Sequence, residues 1–321
     1  MISPKALQGV SVTTVTPFNE DGSVSHELLE TQTEFLIEAG VKILVVCGNT
    51  GEFTSLGVEE TQSVIARTVA VVRGRAVVIA GVGWSSPIAG ELAASAEAAG
   101  ADAVMVHHPA HTFISRTALR KYYEQVMARI SIGFIPYKRG PEVSDELLHD
   151  LVSAPQVVAV KYGHNDVNAF ARLVESSNSD VTWICGTAER WAPYFWLAGA
   201  RGFTSGLAAF APRKSLALFA ALRGPDFTEA MRIVAELAPF EELRQRHYSA
   251  NNVPAVKEAM RQLGIGTATV RDPLQELSAV EQDEVAQILA DWALEPAAHA
   301  PMSALRGDTA THQANTVPRA R

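Results

Sequence analysis

The chain has 321 residues, 47% of them hydrophobic and 19% charged, with 27 basic against 35 acidic side chains and a formal net charge of −8. That much apolar material excludes a disordered chain, and an acidic balance with no long basic run argues against nucleic acid or an anionic membrane as partner. No run approaches the roughly 18 apolar residues of a membrane span, Met1–Gly9 lacks the regions of a secretory signal, and Cys47 and Cys185, far apart and outside any CxxC pair, read as reduced thiols of a cytoplasmic protein.

In chain order, short Val/Ile-rich runs recur at Val10–Thr16, Ile43–Cys47, Ala76–Gly81, Ala103–His107, Ile132–Tyr137, Val157–Lys161, Val181–Gly186 and Gly202–Ser205. They lack polar alternation, as strands of a parallel sheet buried on both faces do. Between them lie helical patterns, clearest in the stripe Val64, Ile65, Thr68, Val69, Val72. Three junctions, around Gly40, Gly100 and Gly199, repeat one grammar: a helix ends, glycine takes the left-handed position after it, and a strand begins.

Eight strands alternating with helices fit a closed (β/α)8 TIM barrel or an open doubly wound sheet, and the count favours the barrel. The Rossmann alternative rests on Gly81-Val82-Gly83-Trp84-Ser85-Ser86, where serine replaces the third glycine. Helical patterns over Pro212–Leu222, Phe227–Gln245, Val253–Leu263 and Ala279–Trp292 exceed one closing helix. The expected organisation is therefore barrel strands and most helices over 1–210, additional C-terminal helices over 211–292, and a mobile tail over 293–321, rich in Ala, Thr, Pro and Arg.

Chemistry on such a barrel sits where strands end. Lys161 closes the otherwise apolar run Val157–Val160. It reads either as a lysine snorkelling to the mouth or as a desolvated, neutral amine able to attack a carbonyl. The chain has only seven lysines, and of the others Lys138 alone also follows a strand. Tyr137 ends the neighbouring strand and offers a phenol for proton transfer. The turn Gly48-Asn49-Thr50-Gly51-Glu52 can face backbone N–H groups and a hydroxyl toward a carboxylate, or be an ordinary strand-to-helix turn. His107-His108-Pro109-Ala110-His111 invites a metal reading, although adjacent strand residues point to opposite faces and no carboxylate is near in sequence.

Gly48-x-Thr50-Gly51-Glu52 after the second strand, Tyr137 after the fifth and Lys161 after the sixth together resemble the dihydrodipicolinate synthase/N-acetylneuraminate lyase family, over roughly Gly9 to Trp292. The resemblance implies a (β/α)8 barrel with C-terminal helices, commonly tetrameric, working on a 2-keto acid with neither metal nor cofactor beyond a covalent imine on Lys161. It further implies that Tyr137 moves protons, that Thr50 with the loop amides of Gly48, Asn49 and Gly51 holds the substrate carboxylate, and that Gly186 and Thr204 line the pocket.

The departures point to a branch. Asn49 stands where the synthases carry a second hydroxyl, and Pro109 is followed by Ala110-His111-Thr112 instead of tyrosine. Tyr137-Lys138-Arg139-Gly140 is a shortened form of the synthase pattern and is more similar to the branch that includes 5-dehydro-4-deoxyglucarate dehydratase. There Arg139 would bind a second carboxylate or a hydroxyl of a sugar acid. The expected function is thus a Schiff-base lyase, a keto-deoxy sugar-acid dehydratase or aldolase, forming a homo-tetramer or dimer. The rivals are a synthase condensing pyruvate with an aldehyde, a metal enzyme using His107–His111, and a non-catalytic keto-acid sensor.

Overall fold

The computed structural model describes residues 1–111, 113–177 and 180–296. Eight strands form the barrel: β1 Val10–Thr13, β2 Ile43–Val46, β3 Val77–Val82, β4 Ala103–Val106, β5 Gly133–Lys138, β6 Ala159–Tyr162, β7 Thr182–Cys185 and β8 Gly202–Ser205. They are hydrogen-bonded in sequence order, and parallel pairing of β8 with β1 closes the ring. Closure excludes the doubly wound alternative. It also explains the absent polar alternation, because inward residues fill the barrel while outward ones meet the helices.

Eight helices surround the barrel: α1 His26–Glu38, α2 Val58–Val72, α3 Ser86–Ala99, α4 Arg116–Met127, α5 Asp145–Leu151, α6 Val167–Ser176, α7 Ala188–Leu197 and α8 Pro212–Arg223. Ser115, Ser144 and Asp166 accept the N3 amide of α4, α5 and α6. The three predicted glycine ends are left-handed, with φ of 89° at Gly40, 94° at Gly100 and 111° at Gly199. Each is followed by an amide that bonds back five residues: Val41 to Leu36, Ala101 to Ala96 and Ala200 to Phe195. That bond closes a helix and turns the chain directly into the next strand.

The barrel interior is apolar toward the N-terminal face, where Leu7, Ile43, Val45, Ile79, Met105, Ile135 and Ile184 pack together. Leu7 belongs to the 3-10 turn Pro4–Leu7, tied across the bottom by the Thr182 hydroxyl donating to Pro4 O. Only the C-terminal face is left to hold a site.

Three further helices follow: α9 Phe227–Ser249, α10 Asn252–Gln262 and α11 Ala279–Asp291. The right-handed path of α9 stops after Gln245. Arg246 is extended (ψ 155°), and His247, Tyr248 and Ser249 are left-handed in succession. Such residues cost on the order of 1 kcal/mol each. The turn is held to α11 by Arg246 on Glu284 and by Asn251 donating to Glu281. No helix among the described residues is long and apolar enough to cross a membrane. The tail predicted from residue 293 falls outside the described residues from 297 onward.

Candidate active site

A cavity of about 790 Å³ opens at the C-terminal face of the barrel. Strand parity decides what enters it. On β5 and β6, Ile135, Tyr137 and Ala159 belong to the inner core, Lys161 is two residues on from Ala159 and lines the cavity, and register pairs Tyr137 with Lys161. Lys138, one step out of phase, points outward, where its Nζ meets Asp145 at 3.1 Å and donates to Val143 O. The second candidate nucleophile is therefore a paired structural lysine, because adjacent strand residues face opposite sides.

Three lysines are buried: Lys138, Lys161 and Lys257. Lys138 pairs with Asp145 and Lys257 with Glu52, whereas Lys161 makes no ion pair among the described residues. Its Nζ stands 4.2 Å from the centroid of the Tyr137 ring. Burial lowers its pKa from 10.5 to about 8; Cys185 opposes that shift and the Arg139 charge adds to it. Tyr137, also buried, is pushed up to about 12 and keeps its proton at neutral pH. The Asn49 amide donates to the Tyr137 oxygen at 3.3 Å, which leaves the phenol hydrogen free for another acceptor.

Asn49, Thr50, Arg139, Gly186 and Thr204 line the same cavity as Tyr137 and Lys161. Gly48 and Gly51 lie beneath them, off the cavity surface. A Cβ at Gly48 would strike Thr13 Cγ2 at 2.6 Å, and the Gly51 carbonyl accepts the Thr16 hydroxyl at 2.7 Å. These two glycines shape the turn. Glu52 ends it in a left-handed conformation, φ 54°, and is fully buried against Lys257. One oxygen of Glu52 also accepts the Arg271 amide at 3.1 Å. The C-terminal region thus clamps the loop that carries Thr50.

The histidine loop separates. His107 stacks on Phe53 with ring centroids 4.4 Å apart and hydrogen-bonds Cys47 O at 3.1 Å, and burial lowers its pKa to about 4. His111 accepts the Phe113 amide on the surface, and Thr112 lies outside the described residues. Among the described residues no three His, Cys, Asp or Glu gather as metal ligands. Both cysteines are buried in the core, and burial pushes the Cys47 thiol up to about 12 and the Cys185 thiol up to about 11.

Sequence reading missed one wall of the cavity. Glu241, Arg244, Gln245, Tyr248, Ser249 and Asn252, from the α9–α10 junction, all face it. No local pattern marks them: Glu241, Arg244 and Gln245 sit on the last helical turns of α9, and the others in or after a turn whose left-handed residues are not glycine.

A closed (β/α)8 barrel with an unpaired buried lysine beside a tyrosine at its C-terminal rim defines a class of imine-forming barrel enzymes. The model of the dihydrodipicolinate synthetase family matches residues 6–292, and the chain belongs to that family. It is 30% identical to 4-hydroxy-tetrahydrodipicolinate synthase from Methanoculleus marisnigri, over 88% of this chain and 98% of that protein. It is 31% identical to a protein named a probable 5-dehydro-4-deoxyglucarate dehydratase from Ralstonia nicotianae, over 86% and 90%. Among solved structures, dihydrodipicolinate synthase from Bacillus clausii superposes with a TM-score of 0.88 at 40% identity, covering 91% of this chain and 99% of that one. The synthase from Oceanobacillus iheyensis gives 0.88 at 37% identity, over 90% and 98%. The chain is accordingly an enzyme, a lyase of the Schiff-base aldolase and dehydratase type.

Proposed function

We propose that Lys161 is the imine-forming nucleophile and that the substrate is a keto-deoxy sugar acid, from which the enzyme removes water or cleaves a carbon–carbon bond. The observation that carries this reading is the Lys161 amine: buried, without a counter-ion among the described residues, and directly over Tyr137 at the floor of a polar cavity. About one Lys161 in ten is neutral at pH 7 when its pKa is about 8. That amine adds to the C2 carbonyl, and water leaves as the imine forms. The protonated imine then accepts the electron pair from C3 when a C3 proton or a C3–C4 bond is lost. Tyr137, protonated and oriented by Asn49, carries protons to and from the hydroxyls that leave.

Arg139 supports a second acidic or hydroxylated group on the substrate. It is exposed at the cavity, makes no ion pair among the described residues, and sits near enough to Lys161 to depress its pKa. The alternative reading, condensation of pyruvate with an aldehyde, is favoured by the names of the structural relatives at 37% and 40% identity. Borohydride trapping with pyruvate and with 5-dehydro-4-deoxyglucarate, followed by peptide mass spectrometry, should give an adduct on Lys161 and none in Lys161→Ala. Product mass then separates loss of water from fragmentation or condensation. No adduct with any 2-keto acid sinks the mechanism.

A further inference from the structure

Gly206, just after β8, is a place where a side chain is not tolerated. An ideal Cβ there would lie 2.7 Å from Arg244 Nη2 and 3.2 Å from Thr50 Oγ1. The guanidinium from α9 and the hydroxyl from the β2 loop therefore converge on one point at the cavity wall. Arg244 is buried, 4% exposed, in a region where most arginines would reach solvent.

Its orientation is over-determined. Nη1 donates to Glu241 at 2.7 Å, Nη2 to Asn252 Oδ1 at 3.0 Å and Nε to Asn252 O at 3.3 Å. A guanidinium has five N–H donors, so one on each Nη stays unused among the described residues. The Glu241 carboxylate offsets the charge of Arg244 and makes its burial affordable, while Asn252 holds the fork in plane. What remains is a pair of directed donors, fixed before any ligand arrives, beside a threonine hydroxyl.

We propose that Arg244 is a specificity-determining residue: with Thr50 it forms the subsite for the C1 carboxylate of the 2-keto acid, and Gly206 is the gap through which it reaches. The assignment rests on the imine reading of Lys161. It also gives the left-handed turn at His247–Ser249 a role, since that turn brings Asn252 back beside Arg244. A planar fork reads a carboxylate through two oxygens, whereas a ketone with no carboxylate gives it nothing to hold.

The test compares two probes on the full chain: pyruvate, and hydroxyacetone, which has a carbonyl but no carboxylate. Both are trapped on Lys161 with borohydride over a concentration range. Loss of the fork should cost a charge-assisted hydrogen bond, so Arg244→Lys should need about tenfold or more extra pyruvate for half-saturation. Its maximal trapping rate should stay within about threefold and its hydroxyacetone trapping should be unchanged. Gly206→Ala, which displaces the guanidinium without removing it, should shift in the same direction. Because Arg244 removed alone strands Glu241, the double variant Arg244→Met with Glu241→Met removes both members of that pair, and it too should lose only pyruvate affinity. Equal losses for pyruvate and hydroxyacetone, or no change with pyruvate, overturn the assignment. Failure of the native chain to trap either probe overturns the imine reading, and this inference with it.

Discussion

An ordinary lysine is charged at neutral pH and useless as a nucleophile, so the surroundings of Lys161 set two pH dependences together. Trapping of a keto acid should rise with pH through about 8 and level off well below the ordinary value of 10.5. A stopped-flow pH profile with its inflection near 10 would contradict this. Arg139→Gln removes a positive neighbour and should move that inflection upward. Stability carries the opposite side of the same shift. Below pH 8 the folded chain holds a buried ammonium at a cost of about 3 kcal/mol. Between 8 and 10.5 the unfolded chain binds a proton that the folded chain does not, so stability rises with pH across that window. Lys161→Met should be more stable than the parent at pH 7, and the gap should shrink towards pH 10. Denaturant melts at both pH values measure it, and an equal gap at both would be inconsistent with a depressed lysine.

Elements convert sequence position into chemistry through parity and through clamps. Glu52 and Lys257 form a fully buried pair between the turn after β2 and α10. Lys257→Met leaves the buried Glu52 carboxylate with the Arg271 amide but no cation, and should cost about 3–5 kcal/mol. Thermal melts check that figure, and the double variant with Glu52→Leu should recover much of it. The same distinction separates what could be read from the chain and what could not. The alternation of strand and helix was legible because glycine stands wherever the chain must go left-handed after a helix, as at Gly40, Gly100 and Gly199. Lys161 was legible because a lysine ends an apolar run. Lys138 was ambiguous, since the inner and outer faces of β5 are assigned only by its register against β6. Arg244 and the Glu52–Lys257 pair were not legible at all: Arg244 packs against Gly206 after β8, Lys257 reaches Glu52 some two hundred residues earlier, and no local pattern encodes such contacts.

For the molecule as a whole, self-association remains the expectation drawn from the family resemblance. Phe113 (85% exposed) and Leu197 (71%) are large apolar side chains that the described residues leave uncovered. Sedimentation at micromolar concentration is expected to give a dimer or larger species, and Leu197→Glu is a probe of the second patch. A monomer at every concentration would remove the expectation. The −8 charge is not carried into the cavity, whose lining sets Arg139, Lys161, Arg190 and Arg244 against Glu52 and Glu241 and so favours an anionic substrate.

The clamp on the β2 turn also has a meaning in time. Phe18 lies between Lys257 Nζ at 4.1 Å and the Arg271 guanidinium at 4.3 Å, and Arg271 donates to Gly22 O and Ser55 O as well. Contacts of Arg271 with the first sixty residues span more than 200 positions. During synthesis, the barrel strands are all made before either cation exists, and the loop bearing Thr50 then lacks the contacts of Glu52 with Lys257 and Arg271. All eight strands are therefore available for pairing before the turn that bears Thr50 can gain its last partners. Those contacts join α10 and the chain beyond it to the opening residues, so they form only after that part has been made.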